Sequence, residues 1–273
     1  ALSSTVALGN NDFDVALVLD NSGSMGGTKI STLKTAAKDL VSTLLAMNNA
    51  TGRTDRVQIG VVPFAASVNV GAGYGPTYSG TTRTSDGTGA AWLDVQGLSS
   101  IPRENFTSGL TDTRFDLFAA LAAARPSYAA ELSWNGCVES RPQPYDVTDD
   151  TPSTSTPDTL IVPMFAPDEP GYKPSWSSYW TNPSGFYNNY LDDNGGTCST
   201  AAGSSNDTQL LEGQGRTCKY KSPSSSEFRD ASSLGTSFGP NYSCTTKPIQ
   251  AMTRTKATLD TFIDSLSANG NTN

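Results

Sequence analysis

Histidine is absent from all 273 residues. That removes the commonest general base and the usual mixed Cys/His zinc sites, and it leaves any serine nucleophile without its ordinary partner. Charge is scarce as well. Asp, Glu, Lys and Arg make up 16% of the chain, so Ser, Thr, Asn and Gly supply most of the polar surface, as on many extracellular proteins. The charges that exist are unbalanced, 26 acidic against 18 basic, for a formal net charge of −8. Such an acidic chain is a poor match for nucleic acid or an anionic membrane, both of which need basic patches. No stretch approaches the roughly 18 apolar residues of a membrane span. The start, Ala1-Leu2-Ser3-Ser4, has no basic segment followed by an apolar one. No membrane segment is therefore expected in this chain.

What is present is concentrated early. Val15-Ala16-Leu17-Val18-Leu19 is an apolar run without polar alternation, the pattern of a strand covered on both faces. Asp20-Asn21-Ser22-Gly23-Ser24 follows directly, and then Ile30, Leu33, Ala37, Leu40, Leu44 and Met47 recur at helical spacing. By composition alone, the pentapeptide is also good turn and helix-start material. Its place between a strand and a helix favours a second reading. A carboxylate and two hydroxyls offered together at the carboxyl end of a strand are the oxygen ligands that hard divalent cations prefer.

Further along, Val57, Ile59 and Val61 alternate as a second strand expected to stop at Pro63, with Ser67-Val68-Asn69-Val70 as a short edge continuation. From Gly71 to Thr245 the chain reads mainly as loop and short strand, with one helix over about 114–124 limited by Pro126. Leu259, Phe262, Ile263 and Leu266 then mark a helix with one buried face, stopped at Asn269-Gly270.

Asp-x-Ser-x-Ser after a hydrophobic strand resembles the first segment of the metal-ion-dependent adhesion site of von Willebrand factor A domains. Three further passages narrow the likeness: Asp55-Arg56-Val57-Gln58-Ile59-Gly60-Val61-Val62-Pro63-Phe64, Trp134-Asn135-Gly136-Cys137-Val138-Glu139, and Ala268-Asn269-Gly270-Asn271-Thr272-Asn273. Together they resemble the G-type tight-adherence (Tad) pilus-assembly proteins of bacterial envelopes. The resemblance is carried by residues 12–70, about 130–145, and 246–273.

It implies an α/β fold, a partial von Willebrand A domain with a mainly parallel sheet and flanking helices. Residues 12–70 would form its first part, 71–245 a loop-rich, disulfide-stapled insertion, and 246–273 a helix and the second metal-site segment. Asp20, Ser22 and Ser24 match the first ligand segment, and Thr272 the threonine of the second. The implied cofactor is a divalent cation, Mg2+ first, with Mn2+ or Ca2+ as substitutes. An acidic side chain of a protein partner would complete its coordination. The family also implies a membrane helix ahead of Ala1. Beyond Asn273 it implies further strands and a third site segment with an Asp, supplied by a cleaved fragment or a second chain.

Four cysteines allow three pairings, and none forms Cys-x-x-Cys. Disulfides in an oxidising compartment are the preferred reading, Cys198–Cys218 as neighbours in sequence and Cys137–Cys244 to tie the ends of the insertion. This fits a periplasmic, cell-surface or extracellular location. Within the insertion Tyr172, Trp176, Tyr179, Trp180, Phe186, Tyr187 and Tyr190 cluster. They are read first as the insertion's own core, with a partner-binding patch centred on Trp176 and Trp180 as the alternative. Leu191-Asp192-Asp193-Asn194-Gly195-Gly196 reads as a tight turn rather than a calcium loop, lacking the EF-hand spacing. Asp149-Asp150 and Asp168-Glu169 read as solvated loop charges.

Three functional classes follow. A non-enzymatic adhesion or assembly module of a bacterial surface or pilus system is preferred. A structural subunit of a surface appendage, in which the metal only stiffens the loop, is the alternative. A Mg2+-dependent hydrolase using Asp20 or Ser22 is disfavoured by the missing histidine, the missing Gly-x-Ser-x-Gly elbow and the lack of a second nearby Asp.

Overall fold

A computed structural model describes residues 12–50, 54–87, 90–101, 106, 112–170, 187–198 and 215–270. The chain divides into two compact units, Ala1–Ala65 with Thr246–Asn273, and Ala66–Thr245.

In the first unit, strands β1 (Phe13–Asp20) and β2 (Val57–Phe64) run parallel, in register from Phe13 opposite Val57 to Asp20 opposite Phe64. A parallel pair needs a crossover, and helix α1 (Thr28–Ala50) provides it. On the other edge of β2 lies β8 (Gln250–Thr253), antiparallel to it. Helix α4 (Lys256–Asp264) follows. Leu17, Leu19, Val57, Ile59 and Val61 from the sheet pack with Ala37, Val41 and Leu45 of α1, and with Leu259, Ile263 and Leu266. Each such aliphatic burial contributes about 1.5–3 kcal/mol. The end of α1 is clamped to β2 by Asn48, which donates to the Val57 carbonyl at 3.1 Å and accepts the Val57 N–H at 2.7 Å.

Two expectations are corrected here. The apolar run of β1 is covered on one face only: Ala16 is exposed and Val18 is 62% exposed. Both helices pack on the side of Leu17 and Leu19, and among the described residues no element covers the other. Leu40 is also exposed, because the buried stripe of α1 runs through Ala37, Val41 and Leu45 and leaves it at the flank. The β8 strand was not expected.

The second unit is loop-rich. Strands β3 (Val68–Asn69), β6 (Cys137–Glu139) and β7 (Val162–Pro163) form an antiparallel set in that order, and β4 (Thr77–Ser79) with β5 (Thr82–Ser85) forms a hairpin. Helix α2 (Arg114–Ala124) sits at the expected place, opened by a capping box between Thr113 and Asp116, and the short α3 (Ala129–Leu132) follows Pro126. With few long elements, rings do much of the filling: Phe118 meets Phe165 at 4.9 Å between centroids, Phe165 meets Tyr220 at 5.5 Å, and Phe115 meets Trp134 at 5.1 Å. Cys137–Cys244 and Cys198–Cys218 are bonded, 107 and 20 residues apart. No helix among the described residues is long and apolar enough to cross a membrane.

Of the expected aromatic cluster, Tyr190 is fully buried in this core while Tyr187 is 56% exposed. Trp176, Trp180 and the other rings of that cluster lie outside the described residues. Residues 191–196 form the expected turn, with Gly195 N–H donating to the Asp192 carbonyl at 2.9 Å. Asp149 and Asp150 are exposed as expected, but Asp168 is not: it is fully buried because Lys219 neutralises it inside the unit.

Candidate functional site

Strand β1 delivers Asp20 at its carboxyl end, and the chain turns at once. Asn21 N–H donates to the Phe64 carbonyl at 2.7 Å, which extends the β1–β2 ladder by one bond. A 3-10 turn over Gly23–Met25 follows, closed by Met25 N–H on the Ser22 carbonyl at 2.9 Å and Gly26 N–H on the Gly23 carbonyl at 3.1 Å. Gly27, at φ +73°, makes the left-handed step into α1 that a side chain would resist. This compact path brings Asp20, Ser22 and Ser24 together.

Ser22 N–H donates to Asp20 Oδ1 at 2.8 Å, and the Ser22 and Ser24 hydroxyls are 3.0 Å apart. Ser22 is fully buried, Asp20 is half-buried and Ser24 is exposed. The Ser22 backbone N–H, with help from the Ser22 side chain and against a small burial effect, holds the Asp20 carboxyl below the usual carboxylate range. The carboxylate is thus charged at any physiological pH. Lys29 donates to the Ser24 carbonyl at 3.1 Å, so the positive charge nearest the loop in sequence engages the backbone and not the hydroxyls.

The far end of the chain closes on the same loop. Asn269 N–H donates to the Asn21 carbonyl at 2.8 Å, Gly23 N–H donates to the Gly270 carbonyl at 2.8 Å, and the Asn21 side-chain amide donates to the Ser267 carbonyl at 3.3 Å. Asn21 is accordingly 2% exposed. Nothing in the local pattern of either segment announces this contact, which joins positions 246 apart. Thr272 itself lies outside the described residues.

One carboxylate and two hydroxyls form an all-oxygen donor set, the chemistry that suits Mg2+. Their spacing fits as well. Adjacent ligands of an octahedral Mg2+ at about 2.1 Å stand about 3.0 Å apart, and the Ser22 and Ser24 oxygens are already at that separation. Among the described residues no group of three or more His, Cys, Asp or Glu offers a competing metal site. As a nucleophile the loop is poorly equipped, because the Ser22 hydroxyl meets the Ser24 hydroxyl and an Asp20 carboxylate whose lowered pKa makes it a weak base.

Residues 14–82 match the von Willebrand factor type A domain family. The match takes in β1, the Asp20–Ser24 loop, α1 and β2, and supports a von Willebrand A domain in this part of the chain. Domains of that family are generally interaction modules that bind proteins, not enzymes. No curated protein and no solved structure matches the chain.

Proposed function

We propose that this chain is a non-enzymatic adhesion or assembly module that engages a protein partner through a divalent cation. The observation that carries the reading is the Asp20–Ser24 loop, whose three oxygens converge at a strand end inside the region matching the von Willebrand A family. Asp20, Ser22 and Ser24 would hold the ion, and Thr272 is proposed as a further ligand because the Ser267–Gly270 segment leading to it is bonded to the loop. A bound Mg2+ would supply an open coordination position to which an acidic side chain can bond directly. The chain's own residues do the rest: Ser22 N–H keeps Asp20 ionised and oriented, and the tether to Asn269 and Gly270 keeps the loop in shape.

The resemblance to G-type tight-adherence proteins supports a role for this module in a bacterial surface or pilus system. Two disulfides agree with an oxidising compartment. The outer edge of β1 and the exposed Ala16 and Val18 support a second element of the proposal, that further polypeptide, in the same chain or a partner, adds to the sheet there.

Cross-linking in the native envelope tests the reading. Capture of one defined protein in Mg2+, abolished by EDTA and by Asp20→Ala, is expected. Capture that survives both changes would overturn it and leave the loop a structural turn.

A further inference from the structure

Three ionisable side chains meet in the core of the second unit. Asp168 and Lys219 are both fully buried, with Lys219 Nζ 2.9 Å from Asp168 Oδ2 and 3.1 Å from the Asp168 carbonyl. Asp193 brings a second carboxylate, its Oδ1 3.9 Å from the same nitrogen and its side chain 9% exposed. The remaining oxygen of Asp168 is gripped from the other side. Oδ1 accepts the backbone N–H of Tyr190 at 2.5 Å and of Leu191 at 2.6 Å. Tyr220 flanks the group, its ring centroid 5.6 Å from Lys219 Nζ, and its hydroxyl accepts the Asp168 N–H at 2.7 Å.

A charged pair without water is an expensive arrangement, and desolvation favours its uncharged form. Burial pushes the Asp168 carboxyl up to about 6, working against the pull of Lys219. Passing one proton from the ammonium to the carboxylate yields a neutral amine beside a neutral acid. That amine is a nucleophile held at hydrogen-bond distance, 2.9 Å, from an oxygen of the carboxyl it would attack. The two N–H groups on Oδ1 stand where negative charge develops when an amine adds to that carbon, the arrangement of an oxyanion hole. Asp193, the second carboxylate at the nitrogen, can relay protons once it closes from 3.9 Å to hydrogen-bond distance.

We infer that Lys219 and Asp168 are joined by an amide bond that the folded protein forms by itself, with Asp193 as the proton relay. The Nζ–Cγ bond forms and the Cγ–Oδ2 bond breaks. Oδ2 departs as water with two of the three ammonium protons, the third stays on the amide nitrogen, and Asp193 ends as it began. One positive and one negative charge vanish together, and no oxidant or cofactor is consumed. The product is a redox-independent cross-link between positions 51 apart, enclosing the Cys198–Cys218 loop.

Intact mass of the full, folded chain tests it. After the hydrogens lost to two disulfides are counted, the protein is expected one water lighter, about 18 Da, and digestion should release one branched peptide containing both residues. Lys219→Arg should restore the full mass, as should Asp193→Ala. Asp168→Asn gives a distinctive result, since the same amide then forms with loss of ammonia instead of water. A folded wild-type protein at full mass would overturn the bond, and an Asp193→Ala protein still lighter by one water would overturn the relay.

Discussion

The Gly23 N–H donates to the Gly270 carbonyl across 2.8 Å, and this bond joins the loop after β1 to the segment after α4. A Cβ on Gly23 would stand 3.0 Å from that same oxygen. Gly23→Ala is therefore expected to push the two segments apart and cost about 1 kcal/mol, read as a lower urea midpoint. The same variant should weaken divalent-cation affinity, because the tether shapes the loop.

Asn48 offers a second test of how the site is held. Val57 is 1% exposed and has its N–H and carbonyl both met by the Asn48 amide. Asn48→Ala leaves two buried backbone groups without that partner, and a loss of about 2 kcal/mol is expected in chemical denaturation.

The disulfides should differ in weight. Cys137–Cys244 spans 107 residues and Cys198–Cys218 spans 20. On loop entropy the first is worth about 4–5 kcal/mol and the second about 3 kcal/mol. Replacing Cys137 and Cys244 by alanine should lower the melting temperature of the second unit more than replacing Cys198 and Cys218. Equal losses would contradict the entropic ordering.

Acid should unfold the second unit partly through Asp116. Burial acts to raise its pKa but is outweighed by the Thr113 N–H, the Tyr78 hydroxyl, the Thr113 hydroxyl and Arg83, so the carboxyl titrates below its ordinary 3.8. A depressed carboxylate contributes stability that is complete above the unfolded value and lost as pH falls through the folded one. The loss should therefore begin near pH 3.8 and deepen below it. Asp116→Asn should be less stable at pH 7, by about 1 kcal/mol through the broken capping box, and its stability should fall less steeply below pH 4.

Much of the first unit was legible because its signals are local. An apolar run, an oxygen-rich turn and a helical stripe follow one another within residues 13–50, and each element forms there. The strand Gln250–Thr253 was not legible, being four residues without a buried face or alternation. Exposure of Val18 was hidden for a different reason: an apolar run shows that both faces could be covered, not what covers them. The Asp168–Lys219 pair and the closure of Ser267–Gly270 onto Asn21 and Gly23 depend on positions 51 and more than 200 apart. No periodicity encodes such meetings. Only the packed chain brings those groups together.

The central claim is that Asp20, Ser22 and Ser24 hold a divalent cation, and calorimetric titration of Mg2+ into the chain tests it most directly. One site is expected in the wild type. It should persist unchanged from pH 7 to pH 5, because the lowered Asp20 remains ionised over that span, and it should be lost in both Asp20→Ala and Ser22→Ala. Binding heat that is the same in Asp20→Ala as in the wild type, or no binding in the wild type at all, would contradict the account.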